Sequence, residues 1–416
     1  MQKANPAQHG LSTLVNHVAE GDDPLRSHVS PIYQTSVFSY PDAATGAAIS
    51  KGEKPGYSYT RTRSPNAVQV EAKCAVLEGL DLLRNEGAGP VEDIVEARLF
   101  ASGMAAISGA IMARVKTGEA IVAQRSLYGG TYGFLEEIAP RLGIEVVYVQ
   151  ANTSQAWEAV LAEHPQATLA YAETPANPTL ELTDLAMLAQ LAHQHDCWLM
   201  VDNTFATPYC QRPLTLGADV VVHSTTKYIA GHGVIIGGVV VSRHPEYMRE
   251  EVQRVRKRVG GSPGPFDAWL TNLGLKTFEL RMARHCENAM QISQFLLSAP
   301  NVKRVYYPGL ESHPGHDLAQ RQMRSFGGML SFELEAGYQA AERFLNSVRL
   351  ATLAVSLGNV DTLVQHPAGM THANVPPEVR QEMGIADGLV RLSVGIENAP
   401  DIIADLEQAL KAAGSA

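Results

Sequence analysis

The 416-residue chain is long enough for two or three domains with sizeable cores, and its composition, 45% hydrophobic and 18% charged, is that of an ordinary globular protein. A net charge of −10 with no basic run argues against nucleic acid as a partner, and no stretch nears the ~18 uninterrupted apolar residues of a membrane span. Four scattered cysteines, Cys74, Cys197, Cys210 and Cys286, fit no metal-ligand spacing, so no metal site is expected; together with a first decapeptide lacking the apolar core of a signal peptide, they predict a cytoplasmic location.

Residues 1–63 carry Pro24, Pro31, Pro41 and Pro55, which break any long helix, yet apolar Ile32, Val37 and Phe38 are interspersed. The expectation is an irregular arm that packs on a neighbouring subunit. Strand and helix patterns then alternate. Strands are predicted at 98–102, 120–123, 145–149 and 168–172, at the runs ending in Asp202 and His223, and at 237–241. Helices are predicted at 103–115, 132–142, 155–164 and 182–195. Short apolar runs alternating with helical segments predict a mostly parallel sheet covered on both faces, in a large domain spanning 64–278. The polar, glycine-containing stretch 80–96 reads as a loop or insertion. A helical pattern over 266–297 containing Gly274 leads into strands at 302–307, 329–335 and 389–395 and helices at 339–348 and 401–413. These predict a smaller C-terminal α/β domain over 279–416.

Parallel sheets bind ligands beyond the carboxyl ends of their strands, and the chemistry-bearing residues cluster in those places. The run Val220–Val222 ends in His223-Ser224-Thr225-Thr226-Lys227, with Gly231 and Gly233 soon after. The run before Asp202 ends in Asp202-Asn203-Thr204. A desolvated lysine amine and a buried acid at two strand ends suit pyridoxal 5'-phosphate (PLP): the lysine forms a Schiff base and the acid keeps the pyridine nitrogen protonated. Ser224 and Thr226 are candidate phosphate donors. Ser102-Gly103-Met104 opens a predicted helix, whose first amides form a ready anion site. Tyr128, before Gly129 and Gly130, could stack on the ring. Tyr59 and Arg61 offer a hydroxyl and a guanidinium to the phosphate. Asn177, in the turn Glu173-Thr-Pro-Ala-Asn-Pro178, could bond the phenolic oxygen. Arg391 sits inside the apolar strand predicted at 389–395 and calls for an anion such as a substrate α-carboxylate.

A nicotinamide oxidoreductase would want Gly-x-Gly-x-x-Gly after an early strand, but after Gly231-x-Gly233 the third position is Ile236 and the motif lies late in the chain. A non-catalytic binding protein would have no use for both Lys227 and Asp202.

Taken in order over about 28–412, these motifs resemble the Cys/Met-metabolism family of PLP enzymes, which includes cystathionine γ-synthases and γ-lyases, methionine γ-lyases and O-acyl-homoserine sulfhydrylases. Further matches are Pro31-Ile-Tyr-Gln-Thr35, Gly274-Leu-Lys-Thr277 and Ser356-Leu-Gly358. The resemblance implies the fold-type I, aminotransferase-like architecture and a homotetramer built as a dimer of dimers with shared active sites. Tyr59 and Arg61 would then reach the partner's phosphate, Tyr128 would stack on the ring and protonate a leaving group, and Arg391 would hold the substrate carboxylate. Ser356 and Val355 would lie beside the substrate. The family's usual Asn-Pro-Thr is Ser64-Pro65-Asn66 here, its usual aspartate after Gly-His-x is Val234, and the 80–96 stretch is longer than usual.

Cystathionine γ-lyases and many γ-synthases tend to carry glutamate where Val355 stands, so the valine favours a thioether side chain. The stretch 356–372 resembles the methionine γ-lyases, although these often have cysteine at the position of Gly130 and a lysine–aspartate pair about where Arg256 and Lys257 stand. The expected reaction is γ-elimination from methionine-like substrates. The alternatives are γ-replacement on O-acyl-homoserine, as in the sulfhydrylases and cystathionine γ-synthases, and cystathionine γ-lysis.

Overall fold

The computed structural model describes residues 4–21, 23–85, 89–371, 373 and 377–414. Residues 1–3, 86–88 and 372, parts of stretches singled out above, lie outside the described residues. Two sheets organise the chain. The first has seven strands: β1 (Glu96–Phe100), β2 (Ala120–Gln124), β3 (Glu145–Val149), β4 (Ala167–Glu173), β5 (Trp198–Asp202), β6 (Val220–His223) and β7 (Gly238–Ser242). Their order is β1-β7-β6-β5-β4-β2-β3, parallel throughout except for β7, which runs against both β1 and β6.

The apolar runs are explained by two-sided burial. Val220 and Val222 join one apolar cluster, with Ile107 and Ile111 of the helix Gly103–Arg114. Val221 joins another on the opposite face, with Val70 and Leu77 of the helix Pro65–Glu78. All three valines are fully buried, so the pleat sends successive side chains to opposite faces and both are dry. The helices Ser154–Glu163 and Leu185–Gln194 cover β2, β4 and β5 on the second face through Trp157, Leu161, Leu185 and Leu188.

The second sheet comprises β8 (Val302–Tyr306), β9 (Met329–Leu334), β10 (Thr352–Leu353), β11 (Leu363–Gln365) and β12 (Leu389–Ser393), in the order β10-β11-β12-β9-β8. The helices Phe278–Leu297, Gly337–Ser347 and Ala399–Gly414 pack on it through Ile292, Phe344 and Leu406. No helix among the described residues is long and apolar enough to cross a membrane.

Several expectations need correction. The 80–96 stretch is not a plain loop: Leu80–Asn85 and Val91–Ile94 are helical, and Leu80, Leu82 and Leu83 are buried in the main core, which is why this polar segment folds against the sheet. The arm holds two short helices, Leu11–His17 and Ala43–Lys51, the second capped by the Asp42 carboxylate accepting the Thr45 N–H. The 266–297 pattern is two helices, Pro265–Lys276 and Phe278–Leu297, divided at Thr277. The helix expected at 132–142 begins as Gly129–Gly133, widens into a π-helical turn over Phe134–Ile138 and tightens over Ala139–Leu142, ahead of a left-handed Gly143.

Candidate active site

Lys227 follows β6 by one tight turn, its N–H donating to the Ser224 carbonyl at 3.2 Å. Its Nζ donates to Ser356 Oγ at 2.7 Å. Burial, and secondarily the charge of Arg391, pushes the amine down to about 8 from its ordinary 10.5. A usable uncharged fraction therefore exists near neutrality, as a nucleophilic lysine requires. Ser356 is held at φ +85°, a left-handed conformation that a residue with a Cβ adopts only when its surroundings impose it. Val355, next to it, is 55% exposed.

Asp202 ends β5 in register with Glu173 at the end of β4. It is buried, and one oxygen, Oδ1, accepts the Thr204 N–H at 2.9 Å. Burial pushes its carboxyl up, against the opposing pull of Thr204 and His223. Glu173 is raised too, to about 8, by burial and by the neighbouring Asp202 charge.

The helix Gly103–Arg114 starts at the carboxyl end of β1. Ser102 is its N-cap, with Oγ accepting the Ala105 N–H at 3.0 Å, so the amides of Gly103 and Met104 have no partner within the helix. Gly103 lies so close to Ser224 that a Cβ there would stand 2.9 Å from the Ser224 Cβ, and the absence of a side chain lets the two segments form one cradle. The Ser224 N–H donates to Thr204 Oγ1 at 3.0 Å. Thr226 Oγ1 exchanges hydrogen bonds with Gly237, at 3.2 Å to its carbonyl and 3.0 Å from its N–H, so this hydroxyl also ties the lysine turn to the approach of β7.

Tyr128 is 41% exposed, and its N–H donates to Glu173 Oε2 at 2.9 Å. Asn177 is buried; its N–H donates to Glu173 Oε1 at 2.8 Å. Its Oδ1 accepts from Arg391 Nη1 at 2.8 Å, while Arg391 Nη2 donates to the Ser356 carbonyl at 2.7 Å. Arg391 is 3% exposed, its Nε has no partner, and burial pushes it down to about 10. Among the described residues its hydrogen bonds are to neutral acceptors, so a carboxylate from outside the chain would complete it.

Tyr59 and Arg61 stand apart. Arg61 Nη1 donates to the Lys257 carbonyl at 2.6 Å, and its guanidinium lies 5.4 Å from the Tyr59 ring centroid. The pair lines an open cavity of about 470 Å³ with residues 260–265, and among the described residues neither bonds to Lys227, Asp202 or Arg391. Arg256 is likewise not at this site: it is buried and ion-paired to Glu71 at 2.6 Å, where it also bonds the Leu99 carbonyl. Val234 is exposed.

Glu173 and Gln124 carry no role in the sequence reading, although a signal for Glu173 was present. The apolar run 167–172 ends in an acid just as the run before Asp202 does. Gln124 closes the end of β2 onto β4, its Oε1 accepting the Glu173 N–H at 3.1 Å and its Nε2 donating to the Glu173 carbonyl at 2.9 Å.

The residues fit PLP. A buried carboxylate with a free oxygen suits a protonated ring nitrogen, a desolvated amine suits an aldehyde, and a glycine cradle at a helix N-terminus suits a phosphate. Comparison with known proteins agrees. The family model described as Cys/Met metabolism PLP-dependent enzyme matches residues 12–411. An L-methionine gamma-lyase of Fusobacterium nucleatum subsp. polymorphum is 45% identical over 405 residues, covering 97% of this chain and 98% of that one. An L-methionine gamma-lyase of Porphyromonas gingivalis is 44% identical over 412 residues, covering 99% of each. The solved cystathionine gamma synthase of Xanthomonas oryzae pv. oryzae superposes with a TM-score of 0.89 at 36% identity, covering 97% of this chain and 98% of that one. With its family match, full-length relatives and site geometry in agreement, the chain belongs to the Cys/Met-metabolism family of PLP-dependent enzymes.

Proposed function

We propose that this enzyme performs γ-elimination on L-methionine and related thioether amino acids, releasing 2-oxobutanoate, ammonia and a thiol. The carrying observation is Val355: next to Ser356, whose hydroxyl bonds the Lys227 amine, stands an exposed apolar side chain rather than a carboxylate for a distal amino group. The names of the two bacterial relatives support the same reading.

When bound, PLP supplies an aldehyde for Lys227 and a ring that stabilises negative charge at the substrate's Cα. Asp202 Oδ2 would pair with the ring nitrogen, while the Thr204 N–H holds the other oxygen. Arg391 binds the α-carboxylate in a forked pair and so fixes which Cα substituent points at Lys227. The Lys227 amine removes the Cα proton and carries protons between Cα and Cβ, steered by Ser356. Tyr128 would cover the ring, and its hydroxyl would deliver a proton to the departing sulfur. The amides of Gly103 and Met104, with Ser102, Ser224 and Thr226, would hold the phosphate, and Asn177 the phenolic oxygen.

Tyr59 and Arg61 complete the phosphate site of a second copy, since in their own chain they lie away from Lys227. This calls for a homotetramer of two site-sharing dimers, with 1–63 as the arm, 64–278 as the cofactor domain and 279–416 as the C-terminal domain. Four free cysteines suit a reducing cytoplasm.

Replacement on O-acyl-homoserine is the second reading, supported by the 36% identity to a cystathionine gamma synthase. Product analysis separates the two. Purified enzyme is incubated with methionine, with cystathionine, and with O-acetyl-homoserine plus sulfide. 2-Oxobutanoate and methanethiol from methionine are expected; consumption of O-acetyl-homoserine alone, and only with sulfide, overturns the elimination reading.

A further inference from the structure

Two carboxylates end adjacent strands, and they are used differently. Asp202 engages one oxygen with the chain. Glu173 has both oxygens taken by backbone donors: Oε2 by the Tyr128 N–H at 2.9 Å and Oε1 by the Asn177 N–H at 2.8 Å. The Glu173 main chain is itself clamped to Gln124 through both its N–H and its carbonyl. The carboxylate is therefore the fixed point, and the two following segments hang from it.

Those N–H groups belong to the residues whose side chains face the reaction. The Tyr128 ring is also confined laterally: a Cβ on Gly130 would stand 2.6 Å from Tyr128 Cε1 and 3.0 Å from Met104 Sδ. Asn177 passes the constraint on. Its Oδ1 takes Arg391 Nη1, Arg391 Nη2 takes the Ser356 carbonyl, and Ser356 Oγ takes Lys227 Nζ, each at 2.7–2.8 Å. A single chain of hydrogen bonds runs Tyr128–Glu173–Asn177–Arg391–Ser356–Lys227. Burial and the neighbouring Asp202 charge raise the Glu173 carboxyl to about 8, and the two amides that bond it pull the other way, favouring the ionised fork.

We infer that Glu173 is a positioning residue of the reaction: its carboxylate sets the register between the leaving-group tyrosine, Tyr128, and the carboxylate-binding arm formed by Asn177 and Arg391. This rests on the roles proposed above for Tyr128 and Arg391.

Glu173→Gln keeps the shape but turns one acceptor into a donor facing an N–H. A double-mutant cycle tests the inference with wild type, Glu173→Gln, Tyr128→Phe and both together, assayed on whichever substrate the wild type turns over. Failure of the methionine assignment thus leaves this test standing. Displacing a reacting group by about 1 Å reduces rate by ~10²-fold. The expected result is a ~10- to 100-fold lower kcat and a raised KM for Glu173→Gln. In the Tyr128→Phe background the same change should lower kcat by less than ~3-fold, because the tyrosine it positions is already disabled. Without substrate, the induced visible circular dichroism of bound PLP should weaken in Glu173→Gln, while the PLP affinity of the apoprotein changes by less than ~10-fold. If Glu173→Gln does not fold, Glu173→Asp, which keeps both oxygens one methylene short, carries the same cycle. An equal loss of kcat in both backgrounds, or kcat and KM unchanged by Glu173→Gln, overturns the inference.

Discussion

Replacing Lys227 by methionine keeps the aliphatic stem and removes the amine, and the structure fixes how the stability of the apoprotein must respond to pH. In the folded apoprotein the amine titrates at about 8; in the unfolded chain it titrates near its ordinary 10.5. Below pH 8 both states are protonated, so the folded state carries the full penalty of a buried ammonium. Between 8 and 10.5 the unfolded chain binds one more proton than the folded chain, and stability rises with pH at about 1.4 kcal/mol per unit. From pH 7 to 9.5 the wild type therefore gains about 2 kcal/mol that Lys227→Met does not. Groups common to both proteins cancel in the comparison. The assay is denaturant unfolding of both apoproteins at the two pH values and at one protein concentration, since assembly contributes to apparent stability. A wild-type-minus-variant difference that stays constant within about 0.5 kcal/mol, or falls with pH, refutes the claim that burial depresses this amine.

Arg391→Lys retains a charge but loses the fork, so KM for the amino acid should rise ~10- to 100-fold with a smaller change in kcat; an unchanged KM in steady-state assays would exclude carboxylate binding by this residue. Ser356→Gly and Ser356→Ala both remove the hydroxyl on Lys227 Nζ, but only glycine relieves φ +85°; the glycine variant should be the more stable by about 1 kcal/mol in denaturant unfolding, with kcat lowered in both. Glu20→Ala strips Lys73 of the carboxylate that its buried amine meets at 2.7 Å, and should destabilise by about 3–5 kcal/mol and speed proteolysis near residue 20.

The central sheet was legible because two-sided burial writes itself as short apolar runs, and Lys227 and Asp202 were legible because each breaks such a run with a charge. The short edge strand β10 was not: Thr352 and Leu353 are both exposed, so no periodicity marks them. The division at Thr277 was hidden because apolar spacing continues across it, with Leu275 and Phe278 both fully buried. The 80–96 stretch misled because its glycines and acids outweighed three buried leucines. The pairing of Arg256 was hidden because its partner Glu71 lies far away along the chain on the helix Pro65–Glu78. Tyr59 and Arg61 carry the clearest limit: among the described residues neither bonds to Lys227, Asp202 or Arg391, and no local pattern encodes that separation.

Several buried charges in this protein are paired within the chain, and those of the candidate site are not. Lys73 meets Glu20 at 2.7 Å, Arg256 meets Glu71 at 2.6 Å, and Arg212 meets Asp81 at 2.9 Å; these ions are compensated within the chain and hold the arm and the helices in place. Asp202 and Arg391 are as deeply placed and Lys227 is half-buried, yet Lys227 bonds a hydroxyl, Asp202 an amide, and Arg391 an amide oxygen and a carbonyl. Desolvation without an ion partner moves the basic groups down and the acid up, the directions found for all three. Such an arrangement is unfavourable for the empty fold and favourable once opposite charges arrive. On the proposed reading a protonated ring nitrogen would answer Asp202, an aldehyde Lys227 and an α-carboxylate Arg391, so the same lack of internal ion partners that weakens the apoprotein would define the ligands that complete it.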